Sequence, residues 1–166
     1  VGRVTTRREL SDLLGQLVGE LSALQTGAGG GDTRSDNQSI QVASLGAETS
    51  RDEANGGFRI DYIYKADPDY PDQKSPLDDP YLDIRAGDII TKVNGRPALS
   101  ALDIGALIRN QVGKQVRLSL KRGTETRDVI VKPMGSEFWL RYADWEYGNR
   151  LKVDKDSEEQ IGYLHL

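Results

Sequence analysis

Gly87-Asp88-Ile89-Ile90-Thr91-Lys92-Val93-Asn94-Gly95 is the stretch of this 166-residue chain that is most informative about its fold. Gly87-Asp88 predicts a tight corner, and the apolar β-branched residues that follow it are typical of a strand packed on a core. Asn94-Gly95 is a strong turn signal because both residues tolerate positive φ. The stretch therefore predicts a short buried strand between two turns.

Further strands are predicted on both sides of this stretch. Ile40–Ala43 is a plausible strand, and the residues from Phe58 to Tyr64 alternate between apolar and polar, as in a half-buried strand. Asn55-Gly56-Gly57 before the latter marks a hairpin. After Gly95, residues 102–110 predict a short helix, and residues 116–131 predict a closing hairpin. The order between about 39 and 133 fits a small, partly open barrel with a helix beside one strand.

The first 38 residues predict a helix and a linker. Thr6 and Glu9 fit a capping box, and leucines at 3-and-4 spacing follow them up to Leu24, so we expect an amphipathic helix. The glycine-rich run Gly27–Asp32 ends it. A phosphate-binding loop would need a helix after the glycines and usually a lysine, so a linker is the better interpretation.

The last 32 residues predict a helix and the beginning of another strand. Pro133–Ser136 breaks the chain, and residues 137–151 then predict a helix that carries both tryptophans. A charged segment leads to Ile161, where a strand is expected to begin. This strand holds the only histidine, His165, for which a structural or surface role is expected.

Composition excludes several classes of function. A net charge of −4 and a pI near 5.1 argue against nucleic acid and anionic membrane as partners. No apolar run approaches the ~18 residues of a membrane span. The chain has no cysteine, which excludes thiol catalysis and cysteine metal sites. The acidic loop Asp67–Asp72 has the wrong spacing for an EF-hand, so we expect no metal and no cofactor.

The pattern G-D-x-I-x-x-V-N-G resembles a segment of PDZ domains. The resemblance implies peptide recognition by strand addition, with a loop of backbone amides that binds the terminal carboxylate. Four residues resemble this loop: Ser44, Leu45, Gly46 and Ala47. Leu102, Ala106 and Leu107 would then form the groove wall on the 102–110 helix, although all three could equally be core residues.

The segments on either side of the PDZ-like part point to a more specific group of proteins. Residues 20–26, residues 139–150 and residues 161–166 bracket it in an arrangement similar to the tricorn-like group of tail-specific serine peptidases, and Ser75-Pro76-Leu77 agrees with it. The implied fold class is α+β: an N-terminal helix, a PDZ-like barrel with a groove helix, then a helix and the first strand of a following domain. The implied domains are 1–38 (helix and linker), 39–134 (PDZ) and 135–166 (connecting helix and start of a catalytic subdomain).

Position 25 departs from the pattern of tricorn-like peptidases. These proteins carry the pattern E-L-x-x-x-H, in which the histidine four residues after the leucine serves as the general base for the catalytic serine. This chain has Glu20-Leu21 and then Gln25 at that position. An amide side chain cannot accept and return a proton near neutral pH. We also expect the segment to be inactive by itself, because the subdomain that bears the serine would follow it.

Three functional hypotheses remain open. The first is the peptide-binding segment of a tricorn-like serine peptidase, which recognises substrate C-termini or gates the active site. The second is a non-catalytic peptide-binding adaptor or pseudo-peptidase, and the third is a PDZ domain that only packs between subdomains. The expected partners are peptide C-termini and the rest of the parent peptidase, which could be a homo-oligomer. A cytoplasmic location is expected, with a periplasmic one left open.

Overall fold

The computed structural model describes residues 4–20, 40–70 and 74–165. The chain forms two compact units, divided between Ser39 and Ile40. The described part of the first unit contains helix α1, Arg7–Gly19. The Thr6 hydroxyl accepts from the Glu9 amide and the Glu9 carboxylate accepts from the Thr6 amide, so the predicted capping box is confirmed. No helix in the described ranges has both the length and the apolar character needed to cross a bilayer.

The second unit is built around one antiparallel sheet of six strands. The strands are β1 (Ala47–Asp52), β2 (Gly57–Ile63), β3 (Ile89–Val93), β4 (Arg96–Pro97), β5 (Val116–Arg122) and β6 (Glu125–Val131). Two helices accompany them, α2 (Ile104–Leu107) and α3 (Phe138–Asp156), with 3₁₀ turns at Pro80–Leu82 and Ala98–Ser100. The predicted α+β class is confirmed.

The sheet has the order β1-β2-β3-β5-β6, and β4 pairs with β3. Strands β5 and β6 turn alternate apolar residues towards one core, as the period of two requires, and β2 and β3 bury most of their apolar residues in it. The most deeply buried side chains of this core come from the central strands and from the residue that follows α2: Ile60, Ile90, Val93, Ile108, Val116, Leu118 and Leu120. The strands β1 and β6 are the two edges of the sheet.

The strand predicted between two turns is β3. Gly87 has a φ of +94°, and its N–H donates to the Ile60 oxygen at 2.7 Å, which joins the corner to β2. Asn94 and Gly95 both have positive φ, at 49° and 80°, and they form the turn into β4. The prediction for this stretch is therefore confirmed at both ends.

Asp88 fixes the corner through its buried carboxylate, which is 1% exposed. Its oxygens accept from Arg122 Nε at 2.6 Å, from Arg122 NH2 at 2.8 Å and from the Arg85 N–H at 3.1 Å. Burial raises the pKa of this carboxyl, but the hydrogen bonds from Arg122 and Arg85 and the charges of Arg122 and Arg127 outweigh that effect. The net pKa of Asp88 is below its ordinary value.

Two of the predicted strands are wrong. Residues 40–43 are not a strand, because the backbone of Gln41 pairs with Asn110 instead of with a neighbouring strand. Residues 161–165 are irregular, since the described part of the chain places no strand beside them to share backbone hydrogen bonds. The first strand of the sheet is instead β1, which begins at Ala47.

The predicted 102–110 helix has the wrong extent. The Asp103 carboxylate accepts from the Ala106 N–H at 2.8 Å, so the helix begins only after this N-cap. Ile108 leaves helical geometry, and Asn110 has a φ of +58°, which ends the turn. The helix predicted for residues 137–151 is longer than expected, because α3 continues to Asp156.

Candidate functional site

A cleft of about 370 Å³ lies between β1 and α2. Among the described residues, β1 pairs only with β2, and its first residue, Ala47, lines this cleft. The lining residues come from the loop before β1, from β1 itself, from α2 and its C-cap, and from the segment before α3: Val42, Ala43, Ser44, Leu45, Ala47, Ile104, Gly105, Ile108, Gly135, Ser136 and Glu137. An edge strand beside a mostly apolar cleft is the geometry that strand addition requires.

The loop 44–47 forms one end of the cleft and has a defined shape. Gly46 has a φ of +68°, a conformation that glycine adopts without strain. A Cβ at this position would lie 2.7 Å from Ser75 Oγ and 2.9 Å from atoms of Pro76 and Leu140. The loop therefore requires glycine at position 46 for two reasons, its backbone conformation and its close packing.

The Ser75 hydroxyl supports the loop 44–47 from the interior of the fold. Its hydroxyl lies within hydrogen-bond distance of the Leu45 oxygen at 3.1 Å and the Gly46 oxygen at 2.9 Å, and it accepts from the Leu77 N–H. Ser75 is only 4% exposed, so these contacts satisfy a polar group inside the fold. The sequence indicated Ser75 only as part of a family pattern, whereas the structure gives it a supporting role beneath the loop.

Ala47 exposes backbone groups to the cleft. The Tyr64 N–H donates to the Gly46 oxygen at 3.2 Å, and Ala47 lies opposite Ile63 in the ladder. Ala47 and Ile63 are therefore a non-hydrogen-bonded pair, in which the N–H and C=O of each residue point away from the partner strand. The N–H and C=O of Ala47 consequently point towards the free edge of β1.

The residues proposed for the groove wall occupy different places. Ile104, Gly105 and Ile108 line the cleft. Leu102 precedes the N-cap and is 91% exposed, while Leu107 packs against the core. Ala106 is in α2 but is not among the lining residues. A role for Leu102, Ala106 and Leu107 in peptide binding stays a prediction, and the apolar side chains that line the cleft on this side are those of Ile104 in α2 and of its C-cap Ile108.

The segment that precedes α3 closes the end of the cleft beside the loop. Ser44 and Met134 exchange two backbone hydrogen bonds, at 2.8 and 2.9 Å, which fix the segment before α3 against the loop. The Ser44 hydroxyl accepts from the Gly46 N–H at 2.9 Å and donates to Glu137 Oε2. These residues are up to 93 positions apart, and no local sequence pattern signalled Glu137 as a site residue.

Tyr62 on β2 and Tyr64 just after it contact side chains of β1 and α3. The Tyr64 hydroxyl lies 3.1 Å from Glu48 Oε1, and the Arg141 guanidinium lies over the Tyr64 ring at 5.0 Å. The Tyr62 hydroxyl donates to Asp144 Oδ1 at 2.7 Å. Burial and then these hydrogen bonds raise the pKa of each tyrosine to about 12, so both stay protonated at neutral pH.

The only histidine, His165, is not among the residues that line this cleft. Gln25 lies outside the described residues. His165 contacts the rings of Tyr142 and Trp145, with centroids 5.7 and 5.1 Å away, in a second cavity beside α3. The described ranges contain no group of three His, Cys, Asp or Glu side chains arranged to hold a metal.

Comparison with known proteins agrees with this architecture. The family described as Tricorn protease PDZ domain matches residues 43–136. Tricorn protease homolog 1 of Streptomyces coelicolor is 36% identical over 99% of this chain and 15% of its own length. The tricorn protease homolog of Saccharolobus solfataricus is 30% identical over 99% of this chain and 15% of its own length.

A solved structure has the same fold. The crystal structure of the tricorn protease superposes with a TM-score of 0.76 over 98% of this chain and 16% of that one, at 23% sequence identity. This chain therefore spans about 15% of the length of the curated relatives named above. The domain boundaries at 38 and 134 stay a prediction. From the family match over residues 43–136, we conclude that the chain belongs to the tricorn protease family and contains its PDZ domain.

Proposed function

We propose that this chain is the peptide-binding segment of a tricorn-like serine peptidase. An extended peptide adds to the free edge of β1, with its C-terminal end at the loop 44–47 and its side chains in the cleft beside α2. The observation that carries the proposal is the edge strand β1, whose first residue Ala47 lines an open, mostly apolar cleft in a PDZ domain. The whole protein would then cleave peptides that this segment delivers or admits.

The backbone groups and the side chains of the cleft would contribute differently to peptide binding. Backbone groups such as those of Ala47 would bind any peptide main chain, and the apolar side chains of Ile104 and Ile108 would select apolar residues near its end. Apolar contacts combined with main-chain hydrogen bonds suit a domain that must accept many different peptides.

A second candidate function rests on Gln25. If this residue does stand at the position of the family's histidine, the protein binds peptides through the same cleft but lacks that base for hydrolysis. The two candidates differ only in the chemistry of the full-length protein, so both require peptide binding by the segment described here.

A substitution in the cleft tests peptide binding. We expect Ile104→Glu to weaken binding of an N-acetylated, C-terminally amidated hexapeptide ending in Val-Ala-Leu by about tenfold or more, because a charged side chain replaces an apolar contact. Isothermal titration calorimetry on the chain measures the affinity, and thermal unfolding checks that the variant is folded.

Ile130→Glu is the matched control. Ile130 lies on β6, the other edge strand, and is 57% exposed, so the same change is made away from the cleft. The affinity of this variant should stay within about twofold of the wild type. Equal losses in the two variants would contradict the assignment of the peptide to β1.

A further inference from the structure

The end of the cleft already holds a carboxylate that belongs to this chain. Glu137 precedes α3 and lines the cleft together with Ser44 and Ala47. Its Oε2 accepts the hydrogen bond of the Ser44 hydroxyl, and Ser44 in turn accepts the N–H of Gly46. A side-chain carboxylate of the protein thus already lies at the loop, where it binds the Ser44 hydroxyl rather than a backbone amide.

Arg141 of α3 holds this carboxylate in place. Arg141, one helical turn away, donates from both Nε and NH2 to the same oxygen, Glu137 Oε1, at 2.8 and 2.6 Å. The hydrogen bonds to Glu137 raise the pKa of Arg141, so the guanidinium is always charged. Both oxygens of Glu137 therefore have partners, one in the loop and one in the helix.

The backbone around Glu137 is fixed as well. The Ser44–Met134 hydrogen bonds tie the preceding segment to the loop, and Leu140 is 2% exposed where it packs near Gly46. Glu137 lies between these two fixed points, and its side chain retains 24% exposure. The carboxylate is therefore held at the loop and is partly exposed to solvent.

The negative charge of Glu137 repels a second carboxylate at the same end of the cleft. Two carboxylates about 4 Å apart repel each other appreciably even near a protein surface. The Nε and NH2 groups of Arg141 already donate to Glu137, so they are not available to a peptide carboxylate while this contact persists. A peptide with a free C-terminus must displace Glu137 or bind beside it. An amidated peptide carries no such charge and does not meet this repulsion.

We propose that Glu137 determines the specificity of the cleft by competing, as an internal carboxylate, with the free C-terminal carboxylate of a peptide. This inference rests on the proposed function, because it concerns the end of the same peptide. Wild-type protein should then discriminate weakly between free and blocked C-termini, whereas removal of Glu137 should create a strong preference for the free carboxylate.

The test compares two forms of one peptide. The N-acetylated hexapeptide ending in Val-Ala-Leu is prepared as the free acid and as the amide, and both affinities are measured by calorimetry. We expect the two forms to bind the wild type within about threefold of each other. In Glu137→Ala the free acid should gain about tenfold, while the amide should change less than twofold.

Two further variants keep the test specific. Glu137→Gln removes the charge but can still accept from Ser44, so the free acid should gain less than in Glu137→Ala and still more than the amide. Glu146→Gln removes one negative charge from the same helix at a residue that lines the other cavity. Its acid-to-amide ratio should equal that of the wild type.

The outcomes distinguish a failure of the role proposed for Glu137 from a failure of the proposed peptide binding. If both peptides bind but the acid-to-amide ratio stays unchanged in Glu137→Ala, or if both forms gain equally, the role of Glu137 is overturned and the proposed peptide binding stands. If neither form binds the wild type or any folded variant, the proposed function fails and the competition fails with it.

Discussion

Asp88→Asn should lower the free energy of unfolding by about 3 kcal/mol. The substitution keeps the shape of the side chain but places an NH2 group where Arg122 and the Arg85 amide both donate. Breaking a buried ion pair costs ~3–5 kcal/mol. The expected loss lies at the lower end of that range because Arg122 is 38% exposed and keeps its contact with Asp83. Urea unfolding at pH 7 measures the change.

Asp83→Asn provides the matched control for this prediction. Asp83 pairs with the same Arg122 at 3.0 Å, but it is half exposed, and asparagine tolerates its positive φ of 47°. Surface ion pairs contribute little to stability, so the loss should be much smaller than in Asp88→Asn. Similar losses in both variants would contradict a special role for the buried carboxylate.

The stabilisation by Asp88 should also depend on pH, in a direction that follows from its lowered pKa. The folded pKa lies below the unfolded value of about 3.9, so the contribution is fully present above that value and is lost as pH falls through the folded pKa. The stability difference between the wild type and Asp88→Asn should therefore shrink below about pH 4.

Gly46→Ala should cost about 3 kcal/mol and disturb the end of the cleft. An alanine at a φ of +68° carries ~1 kcal/mol of backbone strain, and its Cβ would lie under 3.0 Å from Ser75, Pro76 and Leu140, which adds the cost of overpacking. None of these three neighbours is the far end of a long flexible side chain, so the loop itself must move. Thermal and urea unfolding measure the loss.

Gly56→Ala separates the two causes. Gly56 has a φ of +77°, but a Cβ there meets nothing within 4 Å, so only the backbone strain remains and about 1 kcal/mol is expected. The difference between the two variants measures the packing beneath the loop 44–47. Equal losses would mean that Ser75 and Leu140 do not constrain the loop.

The parts of the fold that the sequence predicted correctly are those with strong local signals. The turns at Gly87 and Asn94-Gly95 require positive φ, and few residues provide it, so these positions identify β3 without tertiary information. The alternation from Phe58 to Asp61 likewise reflects a strand with one buried face, which is β2, but the predicted pattern breaks at Tyr62, which is 40% exposed, while Ile63 is buried.

The sequence failed where tertiary contacts determine the structure. β1 reads Ala-Glu-Thr-Ser-Arg-Asp and has no apolar alternation, because an edge strand buries little of either face. Residues 40–43 look more strand-like but lack a partner strand, so they are irregular. Local propensity is a weak guide at such positions, since the partner strand decides the outcome.

The candidate site was predictable only in outline. The family resemblance indicated the loop 44–47, whose chain position precedes a strand, as its role in a PDZ domain requires. The contact between Ser44 and Glu137 joins residues 93 positions apart and depends on how α3 packs on the sheet. No spacing rule connects such residues, so only the structure could bring them together.

Amide-resolved NMR of the ¹⁵N-labelled chain, titrated with the amidated hexapeptide, tests the central claim most directly. We predict chemical-shift changes concentrated in residues 44–52 and 104–108, because these line the cleft and the free edge of β1. β6 is an edge strand too, and its amides should stay unchanged. Shift changes confined to β6 or to α3, with none in β1, would contradict the account.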